Sequence, residues 1–128
     1  MQDYIQLVGL ALQKMCPVDA RKLLLYAEVE DGVTGLSVLF SDAGGKVNFR
    51  FASEELKTLT YEFWETGADK VPARSWRGLE YGLVGSQLSV HFSYPEQLDP
   101  EEDQSDRRPR VVAKHFPSAA VDYSRPNG

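Results

Sequence analysis

The sequence predicts an α+β domain, a five-stranded antiparallel sheet with helices packed on one face, in the order α-β-β-β-α-β-β followed by a short helix. Three observations carry this reading. Two separate stretches space their apolar residues by three and four, the period of a helix. Five short segments alternate apolar and polar residues with period two, as half-buried strands do. The linkers Asp31-Gly32, Gly44-Gly45 and Gly85-Ser86 are glycine-containing and of the hairpin kind. At 128 residues the chain can build one core but not two domains. We place the domain at 1–117 and read 118–128, which ends "DYSRPNG", as a flexible tail.

The elements follow in order. Tyr4, Ile5, Leu7, Val8, Ala11, Leu12 and Met15 form a wide apolar stripe on a first helix, which Pro17 stops. Gly9 inside it offers another element a close approach. "KLLLYAEVE" is a strand with Leu23, Leu25, Ala27 and Val29 on one face. "TGLSVLF" sets Leu36, Val38 and Phe40 against Ser37 and a less obliging Leu39. "KVNFRFA" turns Val47, Phe49 and Phe51 inward and Lys46, Asn48 and Arg50 outward. Ser53 stands at an N-cap position before Glu54 and Glu55, whose charges suit the positive end of a helix. Leu56, Leu59, Thr60, Phe63 and Trp64 form its buried stripe, and Gly67 supplies a stop. "WRGLEYGLV" and "QLSVHFSY" are a second hairpin, with Leu79, Tyr81 and Leu83 facing as Leu88, Val90 and Phe92 do. Asp106 can then cap a short helix through Val111, Val112 and Phe116, with Pro109 tolerated in its first turn.

The composition narrows the function. An apolar fraction of 42% with 14 aromatics fits a soluble globular chain. The most apolar stretch, Tyr4 to Cys16, is too short and polar to span a bilayer. The start carries Asp3 and no basic run, so no secretory signal is expected. One cysteine excludes an internal disulfide, and the expected compartment is the cytoplasm. Residues 1–95 carry 12 acids and 9 bases, residues 96–106 six acids and no base, and residues 107–128 five bases and one acid. The net charge of −5 argues against nonspecific nucleic-acid binding and suits a basic protein partner.

No catalytic signature emerges, and no cofactor is expected. His91 and His115 have no ligand or triad partner at a useful spacing and read as surface or half-buried residues. Cys16 has no local activator and reads as packing. The glycine pairs lack the strand-to-helix context of a phosphate loop. Residues 99–106 hold several oxygen donors but not the spacing of a calcium loop, so no metal is assigned. Phe63 and Trp64 read as core, Trp76 as edge-strand packing, and Arg50 and Lys46 as solvated charges. What stands out is "YPEQLDPEEDQSDRRPR", Tyr94 to Arg110, where acids and then arginines are sorted into blocks. Tyr94, Glu96, Asp99, Glu101, Glu102 and Asp103, with Asp42 in the turn after the second strand, are the candidate partner contacts. An aromatic directly before the run can anchor an interface.

The strand pair "LLLYAEVEDGVTGLSVLFSD", the helix "ASEELKTLTYEFWE" and above all "SWRGLEYGLVGSQLSVHFSY" resemble the YezG/EsaG-like immunity proteins of bacterial polymorphic toxin systems. In that family a Trp introduces a hairpin whose second strand reads apolar-x-apolar-x-Phe-x-Tyr. Trp76 and Leu88 to Tyr94 match those positions. The resemblance covers about residues 1–95 and ends at Tyr94, where the family continues with an aromatic-rich helical tail. It implies an antitoxin that binds one cognate toxin domain, basic and nuclease-like, one-to-one and without catalysis, and touches neither nucleic acid nor membrane. Two rivals belong to other classes. A type III secretion chaperone would be a homodimer with an exposed apolar patch for an effector's unfolded segment. A small enzyme would gather carboxylates such as Glu28, Glu80 and Asp42 into one cleft.

Overall fold

The computed structural model describes residues 3–30, 33–42, 44–70, 76–94, 101, 104–116 and 121–122. Helix α1 (Tyr4–Met15) starts where the Asp3 carboxylate accepts the Gln6 N–H at 3.2 Å, and ends at Cys16 before Pro17. Strands β1 (Lys22–Glu30), β2 (Val33–Ser41) and β3 (Val47–Phe51) form the expected meander. Helix α2 (Glu54–Lys70) is capped by Ser53, whose hydroxyl accepts the Leu56 N–H at 3.2 Å. It runs through Gly67, since one glycine costs a helix only about 1 kcal/mol and does not by itself end it. Strands β4 (Gly78–Val84) and β5 (Gln87–Ser93) make the second hairpin, followed by α3 (Gln104–His115) and the short β6 (Val121–Asp122).

The fold is α+β, with five antiparallel strands in the predicted order of elements. The spatial order is β5-β4-β1-β2-β3-β6. The second hairpin folds back beside the first strand, which leaves β1 at the centre with Leu24 opposite both Leu39 and Gly82. In the stretch expected to be a flexible tail, Val121 and Asp122 pair in parallel with Val47 and Asn48, adding a sixth strand beside β3.

The sheet has a core on each face. On the first, α1 and α2 cover Leu23, Leu25, Ala27, Val38, Phe40, Leu79 and Tyr81, the alternating set that the sequence predicts. Gly9 is where this packing is tightest: a Cβ there would stand 2.5 Å from the Tyr81 hydroxyl, which donates to the Ile5 carbonyl. Phe63 lies half-buried among the rings of Tyr4, Trp76 and Phe92 at 5.9–6.1 Å. Trp76 is buried, and its carbonyl accepts the Trp64 indole N–H at 2.7 Å.

On the other face, Leu24, Leu39, Val47 and Phe49 pack against Val112 and Phe116 of α3. The expectation of helices on one face therefore holds for α1 and α2, while α3 takes the opposite side. The register explains the change. Leu39 pairs with Phe49, and Ser41 with Val47, so the inward residues of β3 share a face with the odd leucine of β2 rather than with Val38 and Phe40. Phe51, at the end of that row, is 53% exposed instead of inward.

Candidate functional site

The underside of α3 meets the most polar part of the sheet. Alternation puts Tyr26 and Glu28 of β1 on this face, and the β1–β4 register sets Glu80 opposite Tyr26. Both carboxylates are only 6% exposed, and α3 brings cations to each. Arg107, 3% exposed, takes Glu28 in a fork: Nη2 to Oε1 at 2.7 Å and Nε to Oε2 at 3.0 Å. The Tyr26 hydroxyl donates to the same Oε2 at 2.6 Å. Glu80 Oε1 lies 2.6 Å from Lys114 Nζ and 2.8 Å from His115 Nε2. A two-toothed guanidinium fork suits a carboxylate that has left water, because it fills both oxygens with charged donors.

Burial alone would raise the Glu80 pKa, but the hydrogen bonds and charges of His115 and Lys114 outweigh it and hold the carboxyl at about 2, below its ordinary 4.5. A depressed folded-state value stabilises the fold fully above 4.5, and that contribution disappears as pH falls toward 2. Glu80→Gln should therefore weaken the fold at pH 7 and flatten its loss of stability between pH 4.5 and 2. Urea titrations at several pH values measure both effects. Parallel curves for the two proteins would mean that Glu80 does not hold α3.

The carboxylates weighed for a catalytic cleft do not converge. Glu28 and Glu80 lie beneath α3 with bases against them. Ser41 pairs with Lys22 and Gly35 with Glu28, so Asp42 sits beyond the far end of β1, seven residues or about 23 Å along the strand from Glu28. Its side chain is taken up by the β2–β3 turn, where Oδ1 accepts the N–H groups of Gly44 at 2.9 Å and Lys46 at 3.0 Å. The Lys46 N–H is the main cause that lowers its pKa, which marks a turn-forming aspartate. Burial pushes the Cys16 thiol up to about 12, which keeps it protonated and inert. His91 is exposed on β5.

The acidic run is held at both ends. Before it, Tyr94 is half-buried against the first core. After it, Arg107 is locked to Glu28, and the Arg108 guanidinium lies 5.7 Å from the centre of the Phe49 ring. Two of the three arginines that follow the run are thus turned toward the sheet. Glu101 is exposed. Glu96, Asp99, Glu102 and Asp103 lie outside the described residues. The sequence joins Glu28 and Glu80 only in the carboxylate-cleft alternative and links neither of them to Arg107. Its usable signal was the polar face of β1 and β4, where Tyr26, Glu28 and Glu80 recur with period two.

A second surface lies on the helical side. Between α1 and α2 runs a groove of about 760 Å³ lined by Leu7, Leu10, Ala11 and Leu59, with Lys14, Glu54 and Glu55 at its rim. Lys14 bridges to Glu55 across it at 3.2 Å. Among the described residues no three His, Cys, Asp or Glu side chains are grouped to hold a metal, and no helix is long and apolar enough to cross a membrane. The chain matches no protein-family model, and no curated protein matches it.

Proposed function

We propose that this protein is an immunity protein that binds a basic, nuclease-like toxin domain one-to-one and blocks its substrate site without catalysis. The observation that carries this reading is the tethering of the acidic run between Tyr94 and Arg107. A charged segment whose flanking residues are fixed at both ends loses less freedom on binding than a free tail. Arg107 and Arg108 are turned to the sheet, where the Glu28 carboxylate and the Phe49 ring meet them. Six negative charges within eleven residues then steer a basic partner, and fast encounter matters when the partner is lethal to its producer. The cytoplasmic compartment expected from the single cysteine is where such a toxin would have to be stopped. The likeness of residues 1–95 to the YezG/EsaG-like proteins points the same way.

The test is binding to a toxin domain encoded in the neighbouring upstream reading frame, or to one captured by pull-down. Neutralising Asp99, Glu101, Glu102 and Asp103 together to their amides should lower the association rate about tenfold or more at low salt and flatten its salt dependence. An association rate that does not move takes the run out of the interface. A second reading, the secretion chaperone, is favoured by the α1–α2 groove, which could hold the apolar side chains of an unfolded effector segment. Binding of a folded domain but not of an unfolded segment separates the two.

A further inference from the structure

Natural sheets protect their edges with charges, proline, bulges or a covering element, because an open edge offers unpaired N–H and C=O groups to any extended chain. The β3 side follows this rule: β6 pairs with it, and its sequence carries Arg50 beside Lys46. The β5 side does not. Gln87–Ser93 is seven residues of regular strand with no formal charge and no proline, and among the described residues it pairs only with β4. Leu88 on it is 45% exposed, although Val90 and Phe92 on the same face reach the first core.

We propose that this edge is a homodimer interface, in which β5 pairs antiparallel with β5 of a second copy about a two-fold axis at Val90. The strand is self-complementary in that register. Leu88 meets the second copy's Phe92, Val90 meets its own counterpart, and Ser89 meets the second copy's His91. Apolar residues stay on the helical face and polar ones on the other, so the pleat continues across the axis. Leu88 gains the cover it lacks in one copy.

Charge selects the antiparallel direction. Parallel pairing would start both acidic runs side by side just after Tyr94. Antiparallel pairing sets the two C-terminal ends at opposite ends of the ribbon, about 20 Å apart, more than two screening lengths at physiological salt. Each chain then leaves Ser93 beside the other copy's row of Gln87, Val84 and Lys22, whose last member is a cation. The interface uses neither the acidic run nor the α1–α2 groove, so one-to-one toxin binding becomes two-to-two. A dimer also suits the chaperone reading, and uptake by the groove remains what separates them.

Sedimentation equilibrium of the full chain from about 10 µM to 1 mM tests this, a range suited to a small interface. The mass should rise from monomer to dimer. The double substitution S89K/H91K sets lysine against lysine across the axis and should weaken the dimer at least about tenfold. Both side chains are exposed, and position 91 lies opposite Glu80, so lysine there is tolerated within one copy. S89E/H91K sets Glu against Lys in this register and should restore the dimer. A wild-type mass that stays monomeric, or a dimer indifferent to S89K/H91K, overturns the proposal, as does failure of the charge swap to rescue. None of these variants touches the acidic run, so the dimer can fail without the toxin reading failing.

Discussion

Arg107→Met should cost about 3–5 kcal/mol of stability, because it leaves Glu28 charged, buried and without its cation. Methionine keeps much of the packing volume of the arginine stem, so the loss reports charge rather than a cavity. Tyr26 still donates to Glu28, but one neutral hydrogen bond does not replace a two-toothed charged one. The companion variant is Arg107→Met with Glu28→Gln, which removes both charges. It should recover most of the loss, since a buried ion pair is expensive to break but contributes little net relative to a neutral pair. Urea unfolding of the three proteins measures this. A single variant that loses under 1 kcal/mol would mean that α3 is not clamped at Glu28. The consequence reaches function, since Arg107 also anchors the C-terminal end of the acidic run. Its replacement should slow toxin association even though every acid of the run is kept.

Leu24→Ala should be as damaging as Leu25→Ala, each by about 2–5 kcal/mol. These neighbours point to opposite faces of the central strand, and both are fully buried. Leu25 is covered by the helices whose apolar stripes are plain in the sequence. Leu24 is covered only through the second core, by Leu39, Val47, Phe49, Val112 and Phe116. A near-neutral Leu24→Ala would put solvent on that face and remove α3 from the sheet. The pair therefore tests the one part of the architecture that strand alternation did not reveal.

Alternation failed there for a physical reason. Leu23, Leu25, Ala27 and Val29 give β1 one apolar face, and that reading assigns no role to Leu24. A strand covered on both sides is apolar on both, and a one-face pattern cannot anticipate a cover that arrives eighty residues later. Leu39 was the same signal on β2. Val47 and Phe49 of β3 are buried as their alternation predicts and Phe51 is not, and no local feature says which face of the sheet they join. A register shift of one residue decides that.

Local chemistry fares better. Asp3 and Ser53 at their caps and the turns at Gly45 and Gly85 all act within a few residues, so their roles are written in their neighbours. The candidate site is the opposite case. The run from Glu96 to Asp106 is visible as composition, but where Arg107 after it points depends on Glu28, 79 residues away in the chain.

By itself, then, the sequence determined the elements from α1 to α3, their order, the first core and the sorted charges after Tyr94. Periodicity and capping are local, and solvent selects them one segment at a time. The tertiary structure alone decided that α3 closes the second face, that Glu28 and Glu80 meet their cations beneath it, and that β5 is, among the described residues, an edge strand paired only with β4. Each of these depends on pairing between distant segments, whose free energy is realised only when the whole sheet is assembled.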